Sequence, residues 1–242
     1  MTCALCKLEE PLQKSHILPE FVYKPHYDEK HRTLLFDGRE SPPTMLQKGL
    51  REPLLCRRCE GRIGRSEDYF ARYWYQDHPL PAVVTTPTIT LTDIDYCRFK
   101  LFMLSIVWRG AVSRLAQLRA MTLGSHEEPM RRMILEGDPG RPDKYPIIGE
   151  VLVDSDTRRP CDDVVVGPIR DRFESQWLCR MVFGGALWIV FTSNRKPSDP
   201  VVESRFLTQA GQLTMGVGPF KDFAAGSGVA RAIRESLRHQ RR

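Results

Sequence analysis

The sequence predicts an α+β protein in which a small metal-bound N-terminal module precedes a mixed α+β domain with a long helix and antiparallel strands. Two Cys-x-x-Cys motifs, beginning at Cys3 and Cys56, predict the module. A helical apolar period over about 93–121, followed by alternating apolar runs, predicts the mixed domain. Because the proline-rich stretch 79–87 lies between them, we predict domains at 1–80 and 88–242.

Length, composition and charge limit which classes of protein the chain can belong to. The chain has 242 residues, of which 41% are hydrophobic, so a sizeable core is expected. A formal charge of +6 and a pI near 9.0 allow a nucleic-acid ligand without requiring one. We see neither a secretory signal nor an apolar run of about 18 residues, so we expect a cytoplasmic protein with no membrane partner.

The two N-terminal motifs predict a structural zinc site. Each motif is a tight turn that directs two thiolates to one point, and together they supply the four soft ligands that zinc prefers. Disulfides are rare in the cytoplasm, and a redox motif is usually single and embedded in a βαβ pattern. The predicted ligands are Cys3, Cys6, Cys56 and Cys59.

Short elements are predicted between and after the motifs. Residues 13–18 favour a strand that carries Ser15 and His16. The polar segment 24–47 predicts a loop or a weak hairpin around Asp37-Gly38. Beyond the second motif, two glycines disfavour an immediate helix, so we predict a helix from Ser66 to about Pro79.

The C-terminal half predicts both helices and strands. Its helices are expected at about 93–121, 125–135 and 221–240. Its strands are expected at 147–153, 164–169, 176–183 and 186–192, with a further pair within 206–215. Gly184-Gly185 matches a two-residue hairpin turn. Within the long helix, Arg109 is expected to be buried or to face a partner rather than to form a site.

Read in order, the N-terminal residues are Cys-x-x-Cys, then Ser-His-Ile-x-Pro, then Leu-Leu-Cys-x-x-Cys-Glu. This arrangement resembles the four-cysteine branch of the HNH (His-Me finger) endonucleases over about residues 1–75. The resemblance implies a zinc-bound, treble-clef-like ββα unit. In that family the hairpin carries a general-base histidine, and the helix helps to hold one catalytic divalent metal such as Mg²⁺ or Mn²⁺.

The resemblance assigns roles to individual residues. His16 matches the general base, and its ordinary pKa near 6.5 suits proton transfer at neutral pH. Glu60 stands where the family has a helix histidine, and its carboxylate can bind Mg²⁺ or Mn²⁺. Glu67 would be a second acid two turns later on a continuous helix. Ser15 departs from the family, which has a metal-binding Asp or His there, and the expected loop Asn is also missing.

Three functions remain open. The first is a metal-dependent endonuclease acting on DNA more than RNA, with 88–242 binding substrate or partner. The resemblance extends this function to a bacterial defence effector that acts beside a partner subunit. The second is a non-catalytic module that binds nucleic acid or protein, in which His16 bonds a carbonyl or ligates zinc and Glu60 is solvated. The third is a structural zinc domain that supports an unrelated activity in the C-terminal half.

The last residues add a candidate polyanion-binding surface. Five arginines follow one another at helical spacing on the predicted terminal helix, and most of them would share one side. They are Arg231, Arg234, Arg238, Arg241 and Arg242. A solvated terminal helix is the alternative.

Overall fold

The computed structural model of the chain describes residues 1–27, 29–30, 32–35, 44–173, 175–193 and 199–221. They form an α+β protein that divides into two compact units. The first unit comprises Met1–Tyr73, Cys97–Gly140 and Val165–Ile169; the second comprises Trp74–Tyr96, Arg141–Val164 and the described part of Arg170–Arg242. That residues 1–80 and 88–242 are separate domains stays a prediction.

The helices are α1 (Glu20–Tyr23), α2 (Arg57–Arg72), α3 (Tyr96–Val112), α4 (Glu127–Glu136) and α5 (Pro200–Glu203). The strands are β1 (Leu12–His16), β2 (Arg32–Leu35), β3 (Thr44–Gln47), β4 (Arg51–Cys56), β5 (Thr88–Leu91), β6 (Ile147–Val153), β7 (Val166–Phe173), β8 (Gln176–Phe183), β9 (Ala186–Phe191) and β10 (Leu213–Pro219). None of the helices among the described residues has the length and apolar character needed to cross a membrane.

In the first unit, β1 and β4 form an antiparallel pair followed directly by α2. The predicted start of this helix at Ser66 is wrong, because α2 begins at Arg57, immediately after the second motif. Two glycines in its first turns cost about 1 kcal/mol each in helix propensity. A buried face that includes Ile63 and Phe70 offsets this cost, since burying each such side chain contributes about 1.5–3 kcal/mol.

Aromatic packing joins three helices of the first unit. Phe70 of α2 stacks on Phe102 of α3 with 4.2 Å between ring centroids, and Phe21 of α1 lies 6.1 Å from Phe102. The long helix was predicted over 93–121 but ends at Val112. Just beyond this end, the Glu52 carboxylate of β4 accepts hydrogen bonds from the Ser113 hydroxyl and the next backbone N–H.

A mixed six-stranded sheet has the order β5-β10-β6-β9-β8-β7. The predictions of β6, β8 and β9 are confirmed, and the turn at Gly184-Gly185 has the positive φ angles that such a turn needs. Antiparallel strands were predicted, and β6, β8 and β9 pair in that way, whereas β10 runs parallel to β6. The predicted strand pair within 206–215 is replaced by β10, which also pairs with β5, a strand that was not predicted.

Two predictions fall on residues outside the described part of the chain. The turn at Asp37-Gly38 is one of them, although the strands on either side of it, β2 and β3, pair antiparallel. The other is the terminal helix with its five arginines, of which the structure describes only the first position, Lys221.

Candidate functional site

The four predicted cysteines converge on one point in the first unit. Their Sγ atoms all lie within 4.8 Å of one another, and those of Cys6 and Cys56 are 3.9 Å apart. Zinc–thiolate bonds of about 2.3 Å in a tetrahedron separate neighbouring sulfurs by about 3.8 Å. The arrangement therefore suits a metal ion, and within the described residues no second group of three or more His, Cys, Asp or Glu ligands occurs.

Local backbone structure builds this cysteine cluster. The first motif turns tightly because Lys7 adopts a left-handed conformation (φ 62°) and its N–H bonds the Cys3 carbonyl at 2.9 Å. The second motif spans the end of β4 and the first turn of α2, so one cysteine comes from a strand and the next from a helix. The Cys56 N–H donates to the Cys3 sulfur at 3.3 Å, which fastens the two motifs together.

Burial and hydrogen bonding give the thiols different acidities. Burial raises the pKa of Cys56 and of Cys59. At Cys6, burial is opposed by a hydrogen bond with the Leu8 backbone and by contacts with the other thiols, and its pKa falls to about 7. Metal binding must therefore displace protons from the cluster, because only thiolates are good ligands.

His16 lies at the end of β1, half-buried, with Nε2 3.1 Å from the Lys48 carbonyl. The loop between β3 and β4 carries the Lys48 carbonyl, and its residues Lys48 and Gly49 both adopt left-handed backbone conformations. A Cβ at Gly49 would overlap the Tyr23 ring. Burial lowers the pKa of His16 below its ordinary 6.5, so the imidazole is neutral at pH 7. With Nε2–H donating to the carbonyl, Nδ1 keeps a lone pair that can accept a proton.

Glu20 of α1 is an acid near His16 that sequence reasoning missed. Among acids, its charge does most to raise the pKa of His16, against the larger effect of burial. The signal was available in the sequence, since Glu20 follows His16 by four residues across a proline that turns the chain.

Ser15 does not share the surroundings of His16. Consecutive side chains of a strand point to opposite faces, and Ser15 is buried while His16 is half-buried. The Ser15 hydroxyl accepts a hydrogen bond from the Leu55 N–H at 3.0 Å, beside an irregularity in the β1–β4 pairing. The serine therefore satisfies a backbone donor that the irregular strand pairing leaves free.

The two predicted acids lie on one side of α2, seven residues apart. Glu60 sits in the first turn, and one of its carboxylate oxygens is buried with no hydrogen-bond partner among the described residues. Glu67 forms an ion pair of 2.7 Å with Arg109. The structure thus leaves Glu60 available for a ligand and engages Glu67 with a buried cation.

Arg109 of α3 connects the strand of His16 to the helix of Glu67. Its side chain is 1% exposed, and its guanidinium donates to the His16 carbonyl at 2.7 Å while pairing with Glu67. Its Nε donates to the Ser105 carbonyl one helical turn earlier. The prediction of a buried arginine is confirmed. We call His16 with Lys48, Glu20 and Arg109 the His16 region.

The cysteine cluster is also fastened to α4. Arg131 donates from its guanidinium to the Leu5 carbonyl inside the first motif and forms an ion pair of 2.6 Å with Glu128. The motif is therefore held by a side chain far along the chain as well as by its own sulfurs.

Comparison of the chain with protein-family models, with curated proteins and with solved structures gives no significant match. The likeness to HNH endonucleases therefore depends on the cysteine motifs and the Ser-His-Ile-x-Pro sequence themselves.

Proposed function

We propose that the first unit contains a zinc-stabilised ββα module of the HNH, treble-clef-like kind that hydrolyses nucleic-acid phosphodiesters, DNA more than RNA. The observation that carries this proposal is the state of His16. Burial lowers the pKa of its imidazole and so favours the neutral form, one nitrogen is held by the Lys48 carbonyl, and the other can accept a proton. That is what a general base for water requires.

The cysteine cluster supports a structural role for zinc. All four ligand positions are supplied by the protein, and three of the four cysteines are buried. A closed thiolate set of this kind stabilises a fold and leaves no position for water or substrate. Cys3, Cys6, Cys56 and Cys59 would hold the ion, and its contribution is to fix β4 and α2 next to each other.

A second ion is needed for the proposed reaction, and Glu60 is the residue that fits it. Its buried oxygen lacks a hydrogen-bond donor in the part of the chain that the structure describes, a costly state that a bound cation would relieve. Oxygen ligation favours Mg²⁺ or Mn²⁺ over zinc. When bound, such an ion supplies positive charge to the phosphate in the transition state. Glu67, paired with Arg109, would act beside it as the second acid.

The residues of the His16 region would carry out the proton transfer and hold the imidazole in position. His16 takes the proton from water at Nδ1, and the Lys48 carbonyl stabilises the imidazolium that forms through Nε2–H. Arg109 holds the backbone of His16 and thereby keeps the imidazole in place. Activity as a bacterial defence effector beside a partner subunit is the part of the proposal that rests on resemblance alone.

A second function is favoured by a different observation. Ser15 is committed to the Leu55 N–H and Glu67 to Arg109, so two of the positions expected to lie near the reaction have protein partners. A module that binds nucleic acid or protein without cleaving it needs neither Ser15 nor Glu67 for catalysis, so both contacts are compatible with that function. Cleavage assays therefore distinguish the two functions.

The test is nicking of supercoiled plasmid with Mg²⁺ or Mn²⁺ in the wild type and His16→Ala. Removing the general base should lower the rate by about 10²-fold or more. His126→Ala, in a single turn ahead of α4, is the matched control and should nick at the wild-type rate. Glu60→Ala should weaken the dependence on Mg²⁺ or Mn²⁺ and leave the zinc content unchanged. Full activity in His16→Ala would refute the mechanism.

A further inference from the structure

Two adjoining depressions open on one side of α2, where it meets α3. The larger encloses about 300 Å³, with arginines at its edge and apolar side chains as its floor. The smaller encloses about 200 Å³. Both are lined by Arg65 and Arg98, so they adjoin at these two side chains. The arginines of the two depressions are Arg62, Arg65, Arg72 and Arg98, and we call the pair of depressions the arginine groove.

The arginine groove is separate from the residues assigned to catalysis. Successive residues of an α-helix advance by about 100° around its axis. Arg62, Arg65 and Arg72 therefore lie on one side of α2, whereas Glu60 and Glu67 lie on the opposite side. A ligand bound in the groove would touch a face of the first unit that the proposed reaction does not use.

The charge of the groove favours an anion. Four arginines line it against a single acidic residue, Asp68. Arg65, Arg72 and Arg98 are exposed, and Arg62 is half-buried. The Arg98 guanidinium lies over the Tyr69 ring, 6.0 Å from its centroid. Contact with an aromatic face orients a guanidinium while leaving its N–H groups to bind oxygen.

We propose that the arginine groove binds the phosphate backbone of a nucleic acid. Arg62 and Arg72 are separated by about 15 Å along α2, so the groove is long enough to contact more than one phosphate of a strand. Guanidinium groups match phosphate oxygens in bidentate fashion, and a phosphate row offers such oxygens at regular intervals. The choice of nucleic acid over another polyanion rests on the proposed function.

Anisotropy of a short fluorescein-labelled DNA duplex, titrated with the full-length protein between about 50 and 200 mM salt, tests the groove. Each lost phosphate contact reduces the slope of log K against log salt by about 0.9, so Arg62→Ala with Arg65→Ala should reduce it by about 1.8. Arg114→Ala with Arg119→Ala removes the same two charges from exposed positions of the first unit outside the groove and should keep the wild-type slope. A slope in the groove variant equal to that of this control would overturn the proposal.

The same experiment separates the groove from the proposed reaction. His16→Ala should bind the duplex with the wild-type slope even though it nicks plasmid about 10²-fold more slowly, so a reduced slope in Arg62→Ala with Arg65→Ala reports on the groove alone. Poly-glutamate serves as the competing polyanion. If the wild type binds poly-glutamate and not the duplex, the groove belongs to an acidic protein partner and the assignment to nucleic acid is wrong.

Discussion

The cysteine cluster and the His16 region are built on the same strand pair, but they are held in place in different ways. The cluster draws its four ligands from two short motifs, each of which forms its turn locally. The His16 region depends on partners from other parts of the first unit: the Lys48 loop, α1 and Arg109 of α3. All the ligands of a metal site can thus come from two short motifs, even though Arg131 also fastens the first motif to α4. The position and acidity of His16 depend on the surrounding unit.

Cys56→Ser tests whether the cysteine cluster depends on its own four ligands, and it should have the largest effect on stability. Structural zinc contributes about 10–16 kcal/mol to the folding of small zinc modules at pH 7, so the folding of residues 1–65 should depend on it. The variant should lose its zinc, measured by atomic absorption, and residues 1–65 should become sensitive to protease. Cys97→Ser changes a half-buried thiol outside the cluster and should keep its zinc. A full zinc equivalent in Cys56→Ser would refute the four-cysteine site.

Arg109→Ala tests whether the His16 region depends on contacts from the rest of the first unit. It leaves Glu67 without its cation and the His16 carbonyl without its donor, and losing one member of a buried pair costs about 3–5 kcal/mol. Chemical denaturation followed by circular dichroism measures this cost. Arg132→Ala breaks an exposed pair with Glu128 and should cost at most about 1 kcal/mol. Equal costs for the two variants would show that the Arg109 contacts do not stabilise the His16 region.

The pH dependence of cleavage sharpens the assignment of His16. Burial lowers its pKa below 6.5, so the neutral, proton-accepting form persists to more acidic pH than for an exposed histidine. The rate should be level around neutral pH and fall about tenfold per pH unit below that pKa. Zinc content is followed in parallel, since the thiolates also take up protons in acid. A rate that keeps rising well above neutral pH would point to another base.

Ser15→Ala should have the smallest effect. It removes the acceptor of the buried Leu55 N–H, and an unsatisfied buried donor costs about 1–3 kcal/mol. Denaturation measures the loss, and plasmid nicking per folded molecule should not change, because Ser15 lies on the face opposite to His16. A loss of nicking in the folded variant would assign Ser15 to the reaction after all.

The features that sequence predicted well are those that local spacing encodes. The four cysteines could be grouped because two Cys-x-x-Cys motifs each form a turn, and β8 and β9 could be placed because Gly184-Gly185 separates two apolar runs. The start of α2 was missed because helix propensity at Gly61 and Gly64 was given more weight than the buried face of the helix. Propensity is easily outweighed by packing of that kind.

The features that sequence could not predict depend on contacts between distant residues. Arg109 was identified as a buried arginine, but its bond to the His16 carbonyl spans 93 positions and leaves no local pattern. The placement of β5 beside β10 likewise depends on a pairing across more than a hundred residues. The role of Ser15 became visible only with the irregularity in the β1–β4 pairing.

Because Arg109 bonds a residue 93 positions earlier in the chain, the two sites can form only one after the other during synthesis. The ribosome adds about 5–20 residues per second, so the cysteines of both motifs are made several seconds before Arg109. Metal can be captured over a separation of 50 positions while the strand of His16 still lacks its guanidinium partner. Nascent chains arrested between these two points should therefore contain zinc and be inactive. The protein would acquire its scaffold first and its activity only when α3 has formed.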